Sequence, residues 1–243
     1  MFRVNAYIDG YNLYHAIDNL CSPRNDNGHT LSRNKNFLKW VNLRKLVENY
    51  CNQPTHELNN IYYFSAPPIH LSESKQKRHA AYIQALNHLN VIYVEGSFKL
   101  KGTKWIKRDD GIFIEKGHHE EKESDVNIAI HILRDAILKS ADKAIVITND
   151  SDIAPAIRMA KKINPAWRAT IITPPIKDRK YVNRNLLEAT GQRKRNRHGQ
   201  VFRETKIISE QLLLACQLPD EIILQDGTLV KRPDKYKVPP EYR

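Results

Sequence analysis

Short apolar runs recur along this chain, and segments with helical spacing separate most of them. The runs are Val4 to Ile8, "NIYYFSAPP" (60–68), "VIYVEG" (91–96), "KAIVIT" (143–148) and "RATIITPP" (168–175). Before the second, "NLRKLVENY" (42–50) sets Leu43, Leu46, Val47 and Tyr50 at helical intervals, with Asn42 in place to cap them. "SESKQKRHAAYIQALNHLN" (72–90), "SDVNIAIHILRDAILKSA" (124–141) and "SDIAPAIRMAKKI" (151–163) carry the same signal. Strands with little polar alternation must be covered on both faces, which is the situation of a parallel sheet between helices. The rhythm therefore predicts an α/β layered domain with a mainly parallel sheet, occupying roughly the first 180 residues.

Other stretches break the rhythm. "DNLCSPRNDNGHTLSRNKN" (18–36) has the Pro, Gly and Asn density of a surface loop. "FKLKGTKWIKRDDGIFIEKG" (98–117) alternates around Asp-Asp-Gly and predicts a hairpin or an extended arm. Beyond the layered domain come a basic linker, a helix around "IISEQLLLACQ" (207–217) and a small hairpin turning at Asp226-Gly227. The expected division is a domain over 1–185 and a small C-terminal extension over 186–243.

Three separated cysteines, Cys21, Cys51 and Cys216, form no CxxC pair, which argues against a disulfide framework or a cysteine zinc site and fits a reducing cytoplasm. No run is long enough for a membrane span, and the acid at position 9 argues against a cleavable signal peptide. Neither GxGxxG, GxxxxGK[ST] nor GxSxG occurs, so dinucleotide, nucleotide-cradle and serine-nucleophile chemistry have no signature.

The chemistry is concentrated in carboxylates at the ends of apolar runs. In open α/β sheets, working sites lie at the carboxyl ends of strands. Asp9 leaves the first strand in "YIDGYN", Asp150 and Asp152 leave the strand "KAIVIT" in "TNDSD", and Asp125 opens a helix. Each alone has a plain structural reading as a turn or cap residue. Together they would repel one another, and a divalent cation would remove that cost. Oxygen donors without a Cys/His cluster point to Mg²⁺ or Mn²⁺. Asp152 is open to three roles: direct ligand, water-mediated ligand or cap.

At this point the chain resembles a known family. "YIDGYNLY" (7–14), "ESDVNIAIHILRDA" (123–136) and "AIVITNDSDIAPAI" (144–157) are similar, in order, to the three signature blocks of NYN-domain proteins, the Limkain/LabA-like branch of the PIN-like ribonuclease superfamily. The resemblance implies a Rossmann-like three-layer sandwich and a Mg²⁺- or Mn²⁺-dependent nuclease site, usually acting on RNA. It assigns catalytic roles to Asp9, Asn12, Asp125 and Asp150, with Asp152 joining the metal set. Three departures stand out. His131 occupies a position where family members often carry a further Asp, and "TNDSDI" replaces the commoner "SGDSDF", with Asn149 for Gly and Ile153 for Phe. The third is coverage: the motifs do not reach 98–120 or the region beyond 190.

The net charge of +12 is unevenly spread. Basic residues crowd "SKQKRH" (74–79), "KLKGTKWIKR" (99–108) and "RKRNRH" (193–198). Trp105 among Lys104, Lys107 and Arg108 suits stacking plus phosphate contact, and Arg193, Arg195 and Arg197 offer a second basic cluster. The plain alternative is solvated surface. "HHEEKESD" (118–125) reads mainly as a solvated connection, with Glu123 its one acid near enough to Asp125 to serve the site. Tyr11 and Tyr14 flank Asn12 and are expected to fill core. The expected partner is nucleic acid, RNA ahead of DNA, with no membrane; a homodimer is compatible with the sequence. Two rival functions remain: a DNA nuclease by the same chemistry, and a non-catalytic RNA-binding module.

Overall fold

The computed structural model describes residues 1–21, 35–51, 54–107, 113–191, 194–195, 201–202 and 204–242. In chain order the elements are β1 (Phe2–Asp9), α1 (Gly10–Cys21), α2 (Leu43–Cys51), β2 (His56–Ser65), α3 (Glu73–His88), β3 (Val91–Glu95), β4 (Ser97–Lys107), β5 (Phe113–Lys122) and α4 (Ser124–Leu138). There follow β6 (Lys143–Ile147), α5 (Ala154–Ile163), β7 (Arg168–Thr173), α6 (Arg184–Ala189), β8 (Lys194–Arg195), β9 (Val201–Phe202), β10 (Lys206–Ile207), α7 (Glu210–Ala215), β11 (Glu221–Ile223) and β12 (Leu229–Lys231).

Six strands form one parallel sheet in the order β10-β7-β6-β1-β2-β3. Alternation along β1 and β6 divides the core into two layers, as a period of two requires. Val4, Ala6, Ile8, Ile145 and Ile147 pack with Leu13 and Ile17 of α1 and Leu43, Leu46 and Val47 of α2. On the other face, Tyr7, Ala144 and Val146 meet Ile128 and Ile132 of α4 and Ile157 and Ala160 of α5. Each fully buried Ile or Leu contributes about 1.5–3 kcal/mol relative to exposure, so these two layers hold the sheet between its helices. The expected Rossmann-like sandwich with a parallel sheet is what forms.

The departures from expectation are local. The segment read as loop from Asp18 begins inside α1, which runs on to Cys21 because Leu13, Ile17 and Cys21 recur every fourth residue on its buried side. Residues 22–34 lie outside the described residues. Segment 98–117 belongs to a long antiparallel hairpin, β4 with β5, paired from Ser97–Lys122 to Lys107–Phe113. It continues to Lys122, through much of the stretch read as a solvated connection.

C-terminal residues also join the body of the fold. β10 adds the sixth strand through Lys206 and Ile207 beside Ile172 and Thr173. Ile208, Leu213 and Cys216 enter the layer under α1 and α2. Leu218, Ile222, Val230 and Tyr236 cluster with Trp40 and with Ala85 of α3. The hairpin at Asp226-Gly227 is present as β11 and β12, with Gly227 at φ +84°, a left-handed conformation that glycine adopts without strain. All three cysteines are buried and free.

Candidate metal centre and nucleic-acid interface

The sheet winds outward from β1 in both directions, toward β2 and β3 on one side and toward β6, β7 and β10 on the other. Such a reversal opens a crevice at the carboxyl ends of β1 and β6. Asp9 is the last residue of β1, and Asp150 follows the end of β6. Gly10 is required between strand and helix: a Cβ there would lie 2.5 Å from the Phe64 carbonyl oxygen and 2.7 Å from the Tyr63 ring. Only glycine lets α1 start this close to β2.

Asp9 is 4% exposed. Its Oδ1 accepts from the Asn12 backbone N–H at 2.9 Å and its Oδ2 from the Thr148 hydroxyl at 2.8 Å. Burial pushes its carboxyl up to about 6; the two hydrogen bonds oppose that rise, while the charges of Asp125 and Asp150 add to it. Asn12 Oδ1 accepts from the Asn149 N–H at 3.0 Å. The Asn149 side chain then donates to the Tyr181 carbonyl and accepts from the Asn183 N–H, each at 2.9 Å. Asparagine in place of the family's glycine therefore ties the loop after β6 to the segment before α6.

Asp150 Oδ1 accepts from the Asp152 N–H at 2.9 Å, closing a 3-10 turn that leads into α5. Asp150, and not Asp152, is thus the cap, and Asp152 is exposed. Asp125 sits in the first turn of α4. Its carboxyl is raised, first by partial loss of hydration and then by the charges of Asp150 and Asp152.

A further acid escaped the sequence reading. Glu121 in β5 accepts from the Ser124 hydroxyl at 2.6 Å. Burial pushes its carboxyl up to about 7, and Asp9 and Asp125 raise it as well, against the hydrogen bonds from Ser124 and the Ala66 backbone. Glu123, the acid favoured from sequence, instead takes a left-handed conformation at φ 76° and lies 4.0 Å from Lys99. The available signal was the alternation of the hairpin, which places Glu121 two residues along the strand from His119.

The donor chemistry fits a hard divalent cation: Asp9, Asp125, Asp150 and Asp152 supply oxygen alone, and the charge of each raises a neighbouring carboxyl. Among the described residues, no three His, Cys, Asp or Glu side chains are grouped closely enough to hold a metal ion as they stand. His131 is no substitute ligand. Its Nδ1 lies 2.8 Å from the Asn127 carbonyl, and its ring packs against Tyr62 and Phe64 at 5.1 and 5.2 Å.

The basic segments are only partly described. Lys104 and Trp105 lie on β4, and Trp105 is 69% exposed rather than packed on the domain. Neighbouring charges are partly answered: Lys101 and Lys122 both pair with Glu120, at 3.0 and 2.6 Å. Lys107 and Arg195 are placed in β4 and β8 by their backbones, with side chains outside the described residues, as are Arg108, Arg193 and Arg197 altogether. Tyr11 and Tyr14 are 43% and 44% exposed and do not fill core. With Leu13 and Ile17 facing inward, helix geometry turns both tyrosines outward.

The NYN domain model matches residues 3–173, and the chain belongs to that family, within the PIN-like superfamily. It is also 25% identical, over 98% of its length and 77% of the relative's, to 6-hydroxy-3-succinoylpyridine 3-monooxygenase HspA of Pseudomonas putida. A crystal structure of a Vibrio parahaemolyticus protein of unknown function covers 86% of this chain and 94% of its own at a TM-score of 0.47 and 13% identity. Among the described residues, no helix is long and apolar enough to cross a membrane.

Proposed function

We propose that this protein is a metal-dependent endoribonuclease that hydrolyses RNA phosphodiester bonds, acting in the cytoplasm. The observation that carries the reading is the placement of Asp9 at the end of β1, Asp150 just past β6 and Asp125 in the first turn of α4, close enough that the charges of Asp125 and Asp150 raise the Asp9 carboxyl where the sheet reverses. Residues 1–185 would form the catalytic domain and 186–243 its accessory extension. Asp9, Asp125, Asp150 and Asp152 would hold Mg²⁺ or Mn²⁺, which when bound supplies charge neutralisation and a polarised water at the scissile phosphate. Asn12 and Thr148 hold the Asp9 carboxylate in a fixed orientation. Glu121, with its carboxyl near 7, suits taking up or returning a proton at neutral pH.

The test is incubation of the purified protein with single-stranded and structured RNA and DNA, in Mg²⁺, Mn²⁺ or chelator. RNA fragments that appear with metal and vanish with chelator support the reading. Cleavage of DNA alone would move the substrate class, and affinity without cleavage would leave an RNA-binding module. A second reading, oxygenation of a small aromatic acid, is favoured by the HspA relative's match along almost the whole chain. Oxygen uptake with a hydroxypyridine acid and a reduced nicotinamide nucleotide, absent without the acid, would support it.

A further inference from the structure

A cavity of about 410 Å³ opens beside the acids, walled by α1, α3, the 66–71 segment and the base of the β4–β5 hairpin. Its size is that of a small-ligand site. Gly10, next to Asp9, and Ala66, whose backbone serves Glu121, both line it, so the cavity adjoins the carboxylate crevice.

Six of its lining rings form one unbroken series. Tyr14 meets His15 at 5.5 Å, His15 meets Tyr11 at 4.3 Å, and Tyr11 meets Phe98 at 6.4 Å. Phe98 meets His70 at 4.5 Å, and His70 stacks on His119 at 4.2 Å and 14°. These rings come from four separate segments, and no packing need requires all six to border one open space. Cations stand opposite. Lys75 and Arg78 line the cavity from α3 with no carboxylate partner among the described residues, and Arg78 lies 6.0 Å over the Tyr236 ring. The one lining carboxylate, Asp18, is already paired with Lys39. On the same wall, His79 Nε2 is buried without a hydrogen-bond partner among the described residues.

We propose that this cavity holds one unstacked nucleotide of the substrate strand, its base among the rings and a phosphate against Lys75 and Arg78. Planar faces, a balancing cation pair and an unanswered polar edge are what such a nucleotide needs. The proposal deepens the ribonuclease reading and takes the identity of the occupant from it.

Calorimetric titration of the full chain with AMP, UMP and nicotinate, in chelator, tests it. Saturable binding of a mononucleotide is expected, weakened about 5- to 150-fold in Phe98→Ala by loss of a stacking ring. Arg78→Gln should weaken AMP but leave adenosine unchanged. Tyr11→Ala, at an exposed position, replaces Phe98→Ala if the latter melts early. Absence of saturable nucleotide binding, unchanged affinity in both folded variants, or uptake of nicotinate with nucleotides excluded would overturn the proposal. RNA cleavage without mononucleotide binding would remove the pocket and leave the nuclease; mononucleotide binding without cleavage would do the reverse.

Discussion

Asp135 should bolt the two halves of the site together. It is 2% exposed, in α4, and its carboxylate is held by side chains on β1 and its own helix. Its Oδ2 accepts from Asn5 Nδ2 at 2.6 Å and from the Tyr7 hydroxyl at 2.7 Å, both on β1, and its Oδ1 from Arg134 Nε at 2.8 Å. Asp135→Ala would orphan two buried donors at about 1–3 kcal/mol each. Arg134, with its side chain 40% exposed, can turn to water and adds little. A net loss of about 3–5 kcal/mol follows, or on the order of 10 °C in melting temperature for a chain of this size. Urea denaturation followed by far-UV circular dichroism measures it. Adding Tyr7→Phe to Asp135→Ala removes one orphan and should recover part of the loss. A loss under about 1 kcal/mol would refute the reasoning, because the donors would then be finding water in a place described as dry. The consequence reaches function. Asp125 lies about 15 Å up the same helix and Asp9 at the end of the same strand, so loosening this tie should also lower activity.

Asp9→Asn, Asp125→Asn and Asp150→Asn should each lower RNA cleavage by about 100-fold or more at saturating Mg²⁺, with an unchanged circular dichroism spectrum. Asp9 titrates near 6 in the folded state, above its ordinary 3.8, so its ionisation costs stability as pH rises through that window. In chelator at pH 8, Asp9→Asn should therefore melt above wild type, and at pH 4 the difference should close. His79 shifts the other way: burial pushes it down to about 4, so the unfolded chain takes up its proton first as pH falls below 6.5. Its share of stability, roughly 3 kcal/mol, is complete above that pH and lost on the way to 4, and His79→Leu should flatten this part of an acid denaturation curve. Trp105→Ala should weaken single-stranded RNA binding by about 1–3 kcal/mol, and Lys104→Gln should lower the salt slope of log K by about one, both read by fluorescence titration in catalytically silent Asp9→Asn protein.

Elements whose identity is written locally were legible. β6 announces itself by an unbroken apolar run and α4 by its period, and Asp9, Asp125 and Asp150 stand out because each interrupts an apolar pattern where a strand ends or a helix starts. What escaped depends on partners far along the chain. Glu121 belongs to a strand only because Phe98 pairs with it across the hairpin, and nothing within "HHEEKESD" records that register. β10 is two residues long, too short for any period, and exists because the edge of β7 is open beside it.

Asn5 and Tyr7 look like flaws in an apolar strand until Asp135, 130 and 128 residues away, supplies their acceptor. Tyr11 and Tyr14 were legible in principle, since Leu13, Ile17 and Cys21 fix the inner face of α1 and so push both rings outward. Even then, a lone exposed tyrosine implies little. Only the fold brings His70, Phe98 and His119 to meet them, from three other stretches of chain, around one cavity. The candidate acids could be picked out because they mark the ends of elements. The ring-lined cavity could not, because it is made by the meeting of segments whose sequences are individually ordinary.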